Sequence, residues 1–404
     1  MKNDSADSNG TVLRLARRAR GFSQQQLAGM AGISRQAVSA LESGVCDPSL
    51  RVALTLAHTL GMTVEDLFGP GAASPPVAAS PLAPLGAAGG RVTLAPVGDA
   101  LVALPLSGAT TTRASFLPAG GLVADAGSVR PIGPPRPTLL VAGCDPALPL
   151  MEASLARLDP PVAFAWWPCV SSEALRLAAA GLVHVAGVQH LHDPGDDAAR
   201  AADELLRAGA EIIRFCSWRE GLVLRPGSAR GVTGVRDLPG SGLRLVNREA
   251  GSDARRVLDR ELAGHGIDSG LLPGYETAAG GHLEVAAAIA AGIADVGVAS
   301  EAAALAYALA FVPLTEEHFD LVIPAPQAES REVRAMIRVL SSPWLLDQLA
   351  SLPGYDASRC GERLATPHGP GGTLAARIDE LRHVLDETLR VGIGRMLEDL
   401  LDRA

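Results

Sequence analysis

Arg35, Gln36 and Ser39 are a guanidinium, an amide and a hydroxyl within five residues, types that hydrogen-bond base edges and phosphates. They fall in Ser23–Gly44, SQQQLAGMAGISRQAVSALESG, which reads as two short helices around a tight turn. Ser23 is an N-cap for the first helix, with Gln26 three residues on, where a capping box wants Glu or Gln. Leu27, Ala28 and Met30 supply the buried side of that helix. Gly32 sits in the turn, where a residue without Cβ takes positive φ freely. Ser34 caps the second helix, and Val38 and Leu41 face inward at helical spacing. Arg35, Gln36 and Ser39 are thereby turned outward.

A second group of candidates lies at strand-to-helix junctions further along the chain. In Gly143-Cys144-Asp145-Pro146, Asp145 can cap and Pro146 takes the first helical position. Ser171 and Ser172 open a helix after Pro168-Cys169, Ser252 opens one after Asn247-Arg248, and His282 one after Gly280-Gly281. Unpaired N–H groups and the positive end of the dipole make a helix start an anion site, and serine hydroxyls add neutral donors. Arg248, Arg255 and Arg256 add charge beside one start; Arg255 and Arg256 are adjacent, so at most one of them faces a shared cleft. Asp145 capping its own helix is structural, whereas facing the cleft it would repel an oxyanion. His184, on an apolar strand, reads as a core histidine. His190, His192 and Asp193 read as an exposed loop, and Glu316, Glu317 and Asp320 as a solvated turn. No G-x-S-x-G elbow, Walker loop, G-x-G-x-x-G after a strand or H-E-x-x-H is present, so the chain reads as a binding protein and not an enzyme.

The elements that must position these residues follow from composition. A chain of 404 residues holds two or three domains. Its net charge is −9, yet Thr11–His58 carries six arginines against Glu42 and Asp47. A basic module on an acidic chain fits local phosphate contact. Arg18 belongs to the cluster Arg14–Arg20 on the helix ahead of Ser23. The five cysteines are scattered with no C-x-x-C, which argues against a disulfide framework or a zinc site. A polar, acidic N-terminus and no run of about 18 uncharged apolar residues imply a cytoplasmic protein without a membrane span.

Six segments result. Residues 1–10 read as a disordered N-terminus, 11–68 as the all-α helical module and 69–90 as a Pro/Ala/Gly linker. Residues 91–130 read as a small β-rich adaptor or an edge addition to the next domain. Over 138–362 short apolar strands alternate with amphipathic helices, the texture of βαβ units around a parallel sheet. Residues 373–402 read as a C-terminal amphipathic helix with apolar residues at 374, 378, 381, 385, 389, 393, 396 and 400, suited to packing on its own lobe or to pairing with a second copy.

The N-terminal pattern Ser23-Gln24, Leu27-Ala28, Ser34, Val38-Ser39, Glu42 and Gly44 resembles the XRE/Cro-C1 family of helix-turn-helix repressors. That resemblance implies contact with double-stranded operator DNA, with Ser23, Gln24, Ser34, Arg35, Gln36, Ser39 and Arg18 nearest to it. GCDPAL (143–148), LVNREAGSDARRVLD (245–259), GHLEVAAAIAAGIADVGV (281–298) and FVPLTEEHFDLVIP (311–324) resemble the α/β two-lobed type II periplasmic-binding-protein fold, the molybdate-binding-like domains in particular. This second resemblance implies a ligand between two lobes, with Cys144, Asp145, Ser171, Ser172, Arg248, Ser252, Arg255, His282 and Ser300 near it. Ser300 stands where some molybdate binders carry a tyrosine hydroxyl. The reading is a multidomain, ligand-responsive regulator acting as a homodimer, without a cofactor, its effector an oxyanion such as molybdate or tungstate. A small organic acid, amino acid or cofactor precursor is the alternative effector; an enzyme on the two-lobed scaffold is a further alternative.

Overall fold

A computed structural model of the protein describes residues 13–14, 16–18, 20–43, 45–68, 76–106, 117–189, 197–228 and 231–364. The segment 1–10, His190, His192, Asp193 and the amphipathic stretch 373–402 lie outside them. The chain divides into two compact units, Met1–Val77 with Arg130–Gly133, and Ala78–Val129 with Pro134–Ala404. Among the described residues no helix is long and apolar enough to cross a membrane.

In the first unit, α1 (Gln24–Ala31), α2 (Arg35–Glu42), α3 (Leu50–Leu60) and α4 (Val64–Phe68) enclose a core of Leu13, Leu27, Val38, Leu41, Leu56, Leu60 and Leu67. Gly32 at φ 66° and Gly61 at φ 61° end α1 and α3 in the left-handed conformation, each returning its N–H to the last turn. Met30 does not join the core and is 46% exposed. Ala31, four residues after Leu27, takes the inward position instead, so the buried stripe is Leu27, Ala28 and Ala31.

The second unit begins with a small sheet. Strand β2 (Arg91–Val97) pairs antiparallel with β3 (Ala100–Pro105) and with β4 (Gly121–Asp125), and β1 (Ser80–Pro81) runs parallel to β3. Leu82, Val97, Val102 and Leu104 share one core with Leu140, Ala142, Leu175 and Val188. The sheet is therefore built onto the following α/β domain. The linker reading of 69–90 fails from Pro76 onward, because Leu82 and Leu85 are buried. A proline-rich composition hides this: Pro81 lies in an edge strand, where a missing N–H is tolerated.

The α/β domain has one continuous sheet. Parallel strands β5 (Thr138–Ala142), β6 (Ala163–Trp167) and β7 (Val185–Gln189) form the first lobe. Strands β9 (Leu245–Arg248), β10 (Ala278–Ala279) and β11 (Val296–Ser300), also parallel, form the second. Two 14-residue strands join the lobes, β8 (Glu211–Leu224) and β12 (Ala310–Ile323), paired antiparallel along their whole length. The C-terminal end of β12 pairs with β7, and that of β8 with β11, so each joining strand belongs to both lobes. The sheet is consequently mixed and not purely parallel.

Along β5, Leu139 and Val141 face a core with Phe215, Phe319 and Met336, while Leu140 and Ala142 face the core shared with the small sheet. That is the two-residue period of a strand buried on both faces. Glu316, Glu317 and Asp320 lie in β12 and not in a solvated turn: Glu317 is fully buried, and Asp320 accepts from Arg214 Nε at 2.5 Å. Gly221 in β8 faces β12 so closely that a Cβ there would overlap the Val312 carbonyl and lie 2.8 Å from Pro313 Cα. Gly221→Ala is therefore expected to lower stability by about 1–3 kcal/mol, the usual cost of overpacking, as a reduced denaturation midpoint of the second unit.

Candidate functional site

In the first unit, Ser23 and Gln26 make both bonds of the capping box, Gln26 N to Ser23 Oγ at 3.2 Å and Ser23 N to Gln26 Oε1 at 2.8 Å. Ser34 Oγ accepts from Ala37 N at 3.1 Å, opening α2. Arg35, Gln36 and Ser39 are exposed on one side of α2, while Val38 and Leu41 are buried on the other. Arg18 is exposed as well. Arg17, one place before Arg18 in the same run of arginines, behaves differently. Arg17 is buried, its Nε donating to Glu42 Oε1 at 2.5 Å and its Nη2 to Glu42 Oε2 at 3.0 Å, with Nη1 on the Phe22 carbonyl. Gln24 Nε2 donates to the same carboxylate at 2.9 Å. Burial pushes Glu42 up, but the bonds from Arg17 and Gln24 and the guanidinium charge outweigh it, so its pKa lies below the ordinary value. Arg17 and Gln24 thus hold the module together and are not free on its surface.

In the second unit the candidates converge on the seam between the lobes, with exceptions. Ser171 begins α6 (Ser171–Ala179), a first-lobe helix, and its Oγ donates to Asp253 Oδ2 of the second lobe at 2.8 Å while accepting from Gln189 N at 3.1 Å. Ser172 is half-buried on the same helix start. Cys144 Sγ donates to Gln189 Oε1 at 3.3 Å, and burial holds its thiol well above the ordinary pKa. Gln189 Nε2 in turn meets Glu220 Oε2 at 3.4 Å, and Trp218 Nε1 meets the same oxygen at 3.4 Å. His282, first residue of α9 (His282–Ala290), sets its ring edge-on to Trp218, with centroids 5.9 Å apart. Burial, helped by Arg248, depresses His282 well below the ordinary histidine pKa, so the ring is neutral.

Arg248 is buried at the end of β9, its Nε and Nη2 held by Glu249 at 2.8 and 2.9 Å. Below Cys144 and Trp166 a cavity of about 30 Å³ lies between first-lobe residues Pro146, Pro168 and Cys169 and the second-lobe turn Gly280-Gly281.

The remaining candidates are turned elsewhere. Asp145 caps locally, accepting from Ala147 N at 2.8 Å, and it also accepts from Tyr355 OH at 2.7 Å and Cys216 Sγ at 3.3 Å. Burial raises its pKa against these bonds. Ser252 and Ser300 are N-caps, bonded to Arg255 N and Ala303 N. The Arg255 guanidinium lies over the Tyr275 ring at 4.9 Å. His184 is a buried histidine whose Nδ1 accepts from Leu140 N at 3.1 Å; burial lowers it to about 4.

Gln189, Trp218, Glu220 and Asp253 were missed by the sequence reading. A signal existed for Glu220: an acidic residue directly ahead of the apolar run GLVL is out of place unless paired or functional.

The family model described as helix-turn-helix matches residues 13–67, and that described as PBP superfamily domain matches residues 152–341. The uncharacterized protein YvgK of Bacillus subtilis (strain 168) is 29% identical over 151 residues, 37% of this chain and 48% of that protein. The chain thus spans about half the length of that relative. The uncharacterized HTH-type transcriptional regulator MJ0272 of Methanocaldococcus jannaschii is 39% identical over 56 residues, 14% of this chain and 85% of that protein. Among solved structures, the tungstate ABC transporter from Geobacter sulfurreducens is 13% identical and covers 53% of this chain and 97% of its own, with a TM-score of 0.41. At that score the likeness carries no argument about a ligand. The chain belongs to the XRE-type helix-turn-helix transcriptional regulators, its helix-turn-helix domain followed in the same chain by a PBP superfamily domain.

Proposed function

We propose that this regulator is ligand-responsive: the helix-turn-helix domain holds operator DNA, and a small effector taken up between the lobes shifts the population of lobe arrangements and thereby operator affinity. The observation that carries this is the seam itself. It is polar, it is lined from both lobes, and it is spanned by two long strands of the kind that hinge closure requires. On the DNA side, Arg35, Gln36 and Ser39 supply base and phosphate contacts from α2. Arg35→Ala is expected to weaken operator binding by about 1–3 kcal/mol with the fold unchanged, measured by gel shift at fixed salt. The regulator acts as a homodimer on paired half-sites in this reading, which light scattering on the purified chain checks.

An oxyanion such as molybdate or tungstate is the effector we favour. The N-caps of α6 and α9, Val170 and Gly281, supply no side-chain cap, which leaves N–H groups for an anion; Arg248 lies nearby, and Glu284 of α9 also lines the cavity. A small organic acid is the second reading, favoured by the Trp166 indole on the cavity wall. Gel-shift titrations with molybdate, tungstate and sulfate, run beside small carboxylic acids, separate the two. Operator affinity unmoved by every oxyanion would remove the first.

A further inference from the structure

The seam holds two buried side chains with unsatisfied polar atoms. Glu220 is fully buried on the joining strand β8, and its Oε1 has no hydrogen-bond partner among the described residues. His282 is 2% exposed, and neither ring nitrogen has a partner among them. Glu220 Oε1 and His282 Nδ1 stand 3.9 Å apart. That is too long for a hydrogen bond, but one ligand atom can sit at about 2.8–3.0 Å from both. Orphaned buried groups are costly and rare in a native structure, so two such groups standing this close together point to a missing partner.

The state of Glu220 decides what that partner is. Its Oε2 receives N–H groups from Gln189 and Trp218, which leaves Oε1 to carry a proton. The groups around it do not sustain a buried carboxylate. Glu317 on β12, with Arg260 4.0 Å from its Oε1, and Asp253 on α8 (Asp253–Gly264), which accepts from Arg256, raise its pKa by their charge. Arg248 on β9 lowers it but is hydrogen-bonded to Glu249, and His282 on α9 is neutral. An unpaired buried charge neutralises in preference to persisting. Burial, with Glu317 adding to it, pushes Glu220 up to about 8.

We propose that Glu220 stands in the seam as an uncharged acid whose Oε1–H, together with the His282 ring, binds an oxygen acceptor of the effector, so that effector binding requires the Glu220 proton. The acceptor is an oxygen of a tetrahedral oxyanion or of an organic carboxylate; both present the same lone pairs to the same donors. This rests on the seam being the effector site. Proton-dependent recognition gives the regulator a second input: at equal effector concentration it responds less as pH rises.

The test is calorimetric titration of the full chain with two arms of probes, sodium molybdate and tungstate in one, acetate and succinate in the other. Wild type, Glu220→Gln and Glu220→Leu are each titrated at pH 6.5 and pH 9. The expected result is that one arm binds wild type and loses about tenfold in affinity at pH 9, where most Glu220 has ionised. Glu220→Gln, whose amide donates without titrating, retains binding within a few-fold and loses the pH dependence. Glu220→Leu loses binding. Affinity that is independent of pH and survives Glu220→Leu overturns the proposal while leaving the effector reading in place. A pH-dependent affinity that Glu220→Gln abolishes overturns it too, since the carboxylate would then be the acceptor. If no probe of either arm binds wild type, both readings fall.

Discussion

Glu220→Gln is expected to stabilise the second unit progressively as pH rises, relative to wild type. The sign follows from proton linkage. The folded protein keeps the Glu220 proton until about pH 8, whereas the unfolded chain releases it near the ordinary glutamate value of 4.5. Between those limits the folded state binds more protons, so raising the pH lowers wild-type stability, and the loss is complete above the folded value. Below about pH 4.5 both states are protonated and the substitution has little effect. The accumulated difference is on the order of 5 kcal/mol, a large share of a domain's stability. Asp145, also raised by burial, leaves a residual slope in both proteins. Urea midpoints of wild type and Glu220→Gln at several pH values between 5 and 9 measure it. Two parallel curves would show that Glu220 does not hold its proton in the fold.

The second large effect lies in the helix-turn-helix domain and involves no base contact. Glu42→Ala removes the carboxylate that receives Arg17 and Gln24 and leaves the Arg17 guanidinium buried against one carbonyl. Breaking a buried ion pair from one side costs about 3–5 kcal/mol, because the surviving charge is left uncompensated. A domain of this size has little more than that in reserve. The expected outcome is loss of operator binding together with loss of the first unit's melting transition, the second unit melting as before. Arg17→Met, which removes the charge and keeps an apolar stem, should be milder. A Glu42→Ala protein that keeps its fold and loses DNA alone would place Glu42 at the DNA surface instead.

These two cases show how unevenly the sequence discloses its sites. Ser23, Gln26 and Ser34 were legible because capping is local: the hydroxyl and the N–H it receives lie three residues apart, and that spacing is visible in the chain. The outward turn of Arg35, Gln36 and Ser39 was legible for the same reason, since helical periodicity fixes a face without reference to any partner. Arg17 and Arg18 differ by one place in a run of arginines, yet one is buried on a carboxylate 25 residues away and the other is exposed. Nothing local separates them.

The two-lobed domain repeats that division. Alternating apolar strands and amphipathic helices determined that an α/β domain would form, and the apolar runs at 139–142 and 185–188 determined strands buried on both faces. Which helix starts stay open was a tertiary matter. Ser252 and Ser300 turn back to cap, while Ser171 reaches Asp253, which is 82 residues away in sequence. The surroundings of Glu220 were decided last of all, by β7, β8 and the start of α9, which bring Gln189, Trp218 and His282 around one carboxyl group. Local chemistry follows from neighbours in the chain, which the sequence states outright. Burial of a charge depends on groups that meet through the fold, and the free energy of that meeting belongs to no single stretch of residues.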